Sequence, residues 1–236
     1  GDFYGDPNIV SLSTKLTSVD EGYKVSENGI MEGCTHITPS MVTLMDLSQE
    51  ELETIVNHVP GGVMNIQDIY PLAPLQEGIY FHHLMSDRNT GDPYVLRHLL
   101  SFSSLDKRSE FINALSFVIN RHDVLRTCVL NHGFSKTVQI VLREVELNVE
   151  ELAIDEGKDI LSQVKQEQAS KNLYIDLTQA PAIHVKIADD LVNEKYYLVL
   201  DNHHMMMDHM GTSKIIEEIA LYLSGQIGLI AKPTLY

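Results

Sequence analysis

Cysteine is nearly absent from this chain: Cys34 and Cys128 are the only two in 236 residues. They lie far apart and fit no metal or redox spacing, so both read as free thiols in a reducing compartment. Basic residues are scarce too, 17 against 33 acidic ones, giving a formal net charge of −16. Neither nucleic acid nor an anionic membrane attracts a polyanion, so nonspecific binding to either is not expected. No apolar run approaches membrane-spanning length, and the opening Gly1-Asp2-Phe3-Tyr4-Gly5-Asp6 has neither a basic nor a long apolar region. Nothing here resembles a signal peptide, and the cytoplasm follows by default. Two chemical signatures are also missing. No glycine-rich phosphate loop appears, which argues against a nucleotide-binding sheet, and no Gly-x-Ser-x-Gly elbow supports Ser-His-Asp hydrolysis.

What is present is an ordinary globular composition, 44% hydrophobic and 21% charged, ample for one large domain or two small ones. Residues 1 to about 30 are polar, with weak periodicity, and read as a linker or loosely attached arm. Ser48 with Glu51 three positions later forms a capping box for a short helix with Leu52, Ile55 and Val56 on one face. Lacking apolar partners nearby in sequence, this helix is expected to dock elsewhere. Pro74 suits the first turn of a helix through Leu84, residues 94–103 read as a strand, and residues 106–122 as a helix. Residues 125–130 and 137–142 form a hairpin pattern through Asn131-His132-Gly133; residues 145–155 read as an acidic surface connection. A helix over about 158–171 and two antiparallel strands, 182–188 and 195–200, follow. The mixture predicts an α/β or α+β sandwich.

The stretch His203-His204-Met205-Met206-Met207-Asp208-His209-Met210-Gly211 stands out. It falls between the 195–200 strand and a helical pattern for which Ser213 is a candidate N-cap and Gly225 a stop. Three histidines and a carboxylate in one strand-to-helix turn suit acid–base chemistry, because imidazole titrates near neutrality without large perturbation. Asp208 could orient a ring, bond the backbone of the turn, or pair with Arg121 or Arg126. Metal binding through His203, His204, Asp208 and His209 is the rival reading. Against it, the positive helix N-terminus faces this turn, and adjacent strand residues point to opposite faces.

Five segments in order carry a resemblance: Asp68-Ile69-Tyr70-Pro71-Leu72-Ala73-Pro74-Leu75-Gln76-Glu77-Gly78-Ile79, Arg121-His122-Asp123-Val124-Leu125-Arg126-Thr127, Ile175-Asp176-Leu177-Thr178-Gln179-Ala180-Pro181, His203 to Gly211, and Lys232-Pro233-Thr234-Leu235-Tyr236. Together they resemble the condensation domains of nonribosomal peptide synthetases, relatives of chloramphenicol acetyltransferase. The resemblance implies the N-terminal lobe of a two-lobed domain over residues 66–236, with residues 1–65 as an interdomain linker bearing a short docking helix. His204 would position or deprotonate the acceptor amine; His203, Asp208, Arg121, Arg126 and Gly211 would support it. His209 stands where the family usually has glycine.

The pair His82-His83, with Gly91-Asp92 after a gap two residues longer than that pattern, resembles the extra motif of dual epimerisation/condensation domains. His82 and His83 would then help to epimerise the upstream residue. The resemblance further implies no cofactor bound by this chain, substrates arriving on the 4′-phosphopantetheine of peptidyl carrier domains, and a C-terminal lobe and adenylation domain as partners in antibiotic or other secondary metabolism. A lobe alone is expected to be inactive. The alternative is a non-catalytic docking module for carrier proteins or tailoring enzymes.

Overall fold

The computed structural model describes residues 28–233 apart from residues 88, 90 and 156. The linker expected over residues 1 to about 30 therefore lies almost wholly outside the described residues. The first helix, α1 (Gln49–His58), begins as the capping box requires: the Ser48 hydroxyl accepts from the Glu51 amide, and the Glu51 carboxylate accepts from the Ser48 amide at 2.8 Å. Leu52 and Ile55 on its inner face are fully buried. They pack not against a separate body but into the main core of the described residues, beside Ile66, Ile69, Ile119 and Ile140. Ile30, Ile37, Val42 and Leu47 join the same cluster.

Two sheets organise the rest. The smaller is antiparallel, in the order β1 (Ile66–Pro71), β4 (Val138–Leu142), β3 (Thr127–Leu130). Gly133, at φ +86° in the connection, gives the β3–β4 hairpin its turn. The larger runs β2 (Val95–Phe102), β7 (Lys195–His203), β6 (Ile183–Asp190), β5 (Val149–Glu151). β2, β7 and β6 are antiparallel neighbours, whereas β5 pairs parallel to β6. The acidic surface connection expected over 145–155 thus contains a three-residue edge strand, too short to show a period.

Four more helices cover these sheets: α2 (Pro74–Met85), α3 (Leu105–Arg121), α4 (Ile160–Gln168) and α5 (His209–Leu223). Pro74 opens α2, where a missing N–H costs nothing, and Ser104 caps α3 through the Lys107 amide. Leu198 and Leu200 of β7 join Val118 and Ile119 of α3 and Ile219 of α5 in the main core. On the opposite face of the larger sheet, Val164 of α4 packs on Ala188, Tyr197 and Val199. β7 is the second strand of four, so its end is held from both sides, and it delivers the His203–Gly211 stretch. Among the described residues, no helix is long and apolar enough to cross a membrane.

Candidate active site

The ladder of the larger sheet continues to the last residue of β7 and just beyond. The His203 amide donates to the Ala182 carbonyl at 3.2 Å, and the His204 amide to the Tyr94 carbonyl at 2.8 Å. The chain then turns and enters α5. Ser213 is not the N-cap. Asp208 is: its carboxylate accepts from the Gly211 amide at 2.7 Å, while Ser213 lies one full turn into the helix with its hydroxyl bonded to the His209 carbonyl. A nearer carboxylate with correct reach outcompetes a later hydroxyl. A Cβ on Gly211 would approach Asp208 Oδ1 and Met207 Cγ to 3.3 Å, so glycine lets the cap close tightly. His209 opens the helix and is exposed.

Strand alternation separates the two adjacent histidines. His203 is fully buried; His204 is only partly so. His204 Nδ1 lies 2.7 Å from the Met207 carbonyl oxygen, which can only accept. The ring proton is therefore on Nδ1, and Nε2 keeps its lone pair. His203 has the opposite tautomer: the Met205 amide donates into its Nδ1 at 3.1 Å, which leaves the proton on Nε2.

His203 Nε2 meets Asp92 Oδ2 at 3.1 Å. The same oxygen accepts from His83 Nδ1 of α2 at 2.7 Å, and Asp92 Oδ1 accepts from the Tyr94 amide at 2.9 Å. Gly91 makes this approach possible. Its φ is +72°, and a side chain there would collide with the Lys171 carbonyl, while the next amide, of Asp92, donates to the Leu173 carbonyl at 2.6 Å. Tyr174, in the same segment, stacks on the His83 ring with centroids 5.0 Å apart. Tyr80 stacks on it from α2 at 5.7 Å; burial, first, and then Tyr174 and Asp176 push its phenol up to about 12, so it stays neutral.

Burial is the largest influence on Asp92 and acts upward, yet the Tyr94 amide, His83 and His203 together hold its carboxyl below its ordinary value. Burial also dominates at His203 and pushes its imidazole below 6.5; Asp92 opposes this without overcoming it, and His83 and His204 add to the lowering.

The sequence placed His82 and His83 together, and the helix splits them. His83 is buried in the Asp92 cluster, whereas His82 is exposed with its ring 5.9 Å from that of Tyr94. Asp92 drew attention only as half of a Gly-Asp pair. Its role as common acceptor for residues 83 and 203 arises from tertiary contact alone.

Among the described residues, the one group able to offer three ligand atoms within 4.8 Å is His83, Asp92 and His203, not the His203, His204, Asp208 and His209 set. The donor directions do not fit a cation. A metal on His203 Nε2 would require the proton on Nδ1, directly against the Met205 N–H.

The arginine expected opposite Asp208 is elsewhere. Arg121 Nε donates to Glu218 of α5 at 3.2 Å and its other arm to the Ala231 carbonyl; His122 shares Glu218 at 2.9 Å. Arg126 is buried, pairs with Asp123 and caps the end of β4 through the Leu142 and Arg143 carbonyls. Arg121 thus clamps α5, the helix that follows the turn, to α3, whereas Arg126 secures the smaller sheet. Asn202, beside His203, is buried with neither amide atom hydrogen-bonded.

Residues 66–227 match the family model described as "Condensation domain". Malpinin synthetase from Mortierella alpina is 38% identical over 84% of this chain and 2% of its own length. Malpibaldin synthetase from the same organism is 34% identical over 98% of this chain and 4% of its own length. This chain thus spans a few hundredths of the curated relatives it matches. Among solved structures, one titled "The crystal structure of SeMet-CT" aligns with TM-score 0.59 and 16% identity over 80% of this chain and 41% of that one. The starter condensation domain of rhizomide synthetase RzmA aligns with TM-score 0.54 and 18% identity over 70% of this chain and 40% of that one. The shared fold is the chloramphenicol acetyltransferase-like α/β sandwich expected from the sequence.

Proposed function

This chain belongs to the condensation-domain family of nonribosomal peptide synthetases, and from that premise we propose that it is the N-terminal lobe of a domain that forms a peptide bond. The acceptor's α-amine attacks the carbonyl carbon of the donor thioester. The C–S bond then breaks, the phosphopantetheine sulfur leaves as a thiol, and the proton lost by the amine balances it. His204 is the group we assign to that proton. The observation carrying this assignment is its tautomer: with Nδ1–H committed to Met207 at 2.7 Å, Nε2 is left as an acceptor on a partly exposed ring. It holds the attacking amine and the proton that the amine sheds.

His203, Asp208 and Gly211 support the turn, Arg121 holds the helix that follows it, and Arg126 secures the smaller sheet. His209, at the exposed entrance to α5, faces the side from which an acceptor arrives. Carrier domains supply both thioesters; a C-terminal lobe and an adenylation domain are the further partners, and the stretch before residue 66, packed into the main core from Ile30 onward, leads into the lobe. The exposed Met210, Ile216 and Leu223 of α5 suit burial against that second lobe. The lobe alone is inactive in this reading. Epimerisation of the upstream residue belongs to the same proposal, supported by the His83–Asp92 contact despite the longer gap between them. His82, being exposed, is then the member of its pair that meets substrate.

The test is His204→Ala in the parent synthetase, with both carriers loaded. Condensation is expected to fall to background. Undiminished product would overturn the assignment and favour a docking module, and D-configured product from His82→Ala would remove the epimerising role.

A further inference from the structure

We infer that Asp92 is a positioning residue for this reaction: its carboxylate joins the histidine of α2 to the end of β7, fixes the tautomer of His203, and so sets where the following turn holds His204. The inference rests on the peptide-bond-forming reading above. Asp92 does not itself reach substrate, because its side chain is wholly buried.

The links are consecutive. Gly91 brings the chain against the Lys171 carbonyl, and the Asp92 amide is tied to Leu173 at 2.6 Å. Asp92 Oδ1 takes the Tyr94 amide, which leaves Oδ2 aimed at two rings, His83 at 2.7 Å and His203 at 3.1 Å. A carboxylate can accept from both ring N–H groups at once, whereas no neutral side chain of its size offers two acceptors in those places. With its Nε2 proton committed to Asp92, His203 presents a bare Nδ1, and the Met205 amide donates to it at 3.1 Å. Met205 immediately follows His204. Its amide direction fixes the start of the turn, whose later carbonyl, Met207, receives the His204 ring proton at 2.7 Å. Burying a carboxylate between two imidazoles contributes little stability that apolar packing could not, so orientation is the better account of it.

Asparagine at 92 has nearly the same shape. If its oxygen keeps the Tyr94 amide, its NH2 faces two N–H groups. An amide nitrogen can accept from neither, so both rings must give up the proton on that side, and at His203 this sets an Nδ1 proton against the Met205 N–H. In the parent synthetase with loaded carriers, Asp92→Asn is expected to lower kcat by about tenfold or more with KM changed by less than about twofold. An anchor of purely structural role would lower the melting temperature and the folded fraction but leave turnover per folded enzyme unchanged; that result overturns the inference. Should Asp92→Asn not fold, Asp92→Glu keeps the charge and displaces it by one methylene. Its kcat is expected to fall about fivefold, and a value within about twofold of the parent overturns the inference. His204→Ala in the same assay separates the two failures. Loss of turnover there with full turnover in the Asp92 variant rejects only the positioning role, while turnover in both rejects the reading beneath it.

Discussion

The carbonyl oxygen of Lys171 occupies the space that a side chain on Gly91 would need. Gly91 also has φ +72°, where an L-residue is strained in any surroundings. Gly91→Ala therefore pushes Asp92 away from His83 and His203. Its expected cost is about 1–3 kcal/mol from the backbone alone, read as a lower midpoint in urea. An unchanged midpoint would mean that the 91–94 and 171–174 segments are not packed as described.

Acid should destabilise the fold in two stages. The His203 pKa is lowered in the folded state from 6.5, so the unfolded chain takes up the proton first. Its contribution is complete above about pH 6.5 and declines as the pH falls below that value. Asp92 is also lowered, from 3.8, so its contribution is lost only at still lower pH. Urea midpoints measured between pH 8 and pH 3 check this, and His203→Gln should flatten the upper stage.

The two thiols should differ sharply. Burial pushes the Cys128 thiol up to about 12, whereas Cys34 is only partly buried. At pH 8 an aromatic disulfide reagent should titrate about one thiol in the native protein and about two after denaturation. Equal reactivity of both in the native state would contradict the packing of β3.

Asn202 is held at a cost, since both its amide atoms are buried without hydrogen bonds. Asn202→Leu is expected to leave stability unchanged or raise it by about 1 kcal/mol. Thermal melting of the two proteins decides; a marked fall would show that the amide has a partner.

Ile55, wholly buried on α1, joins the core around Ile66 and Ile140. Ile55→Ala should cost about 2–5 kcal/mol, measured by urea unfolding. A surface helix docked on some other body would show almost no loss.

Much of this architecture was legible from period and punctuation. The α1 capping box, Pro74 at the start of α2 and the β6–β7 pairing each follow from a local rule, and the structure has all three. Local rules failed where two of them competed or where contact spans the chain. Asp208 displaced Ser213 as cap because both are good caps and only geometry ranks them. The destination of α1 was hidden because its partners lie on later strands. The split between His82 and His83 was partly available, since consecutive helical residues diverge by about 100°. No pattern in one dimension brings Asp92 to His203, 111 positions away.

The family match begins at residue 66, yet side chains as early as Ile30 are sealed into the same interior. The unit that the family model recognises and the mechanical unit thus have different starting points. Anyone transplanting this chain from residue 66 onward would leave behind a plug of seven buried side chains, from Ile30 to Val59. The graft would carry an open wound in its hydrophobic centre, prone to clumping, although every motif residue had been transferred intact.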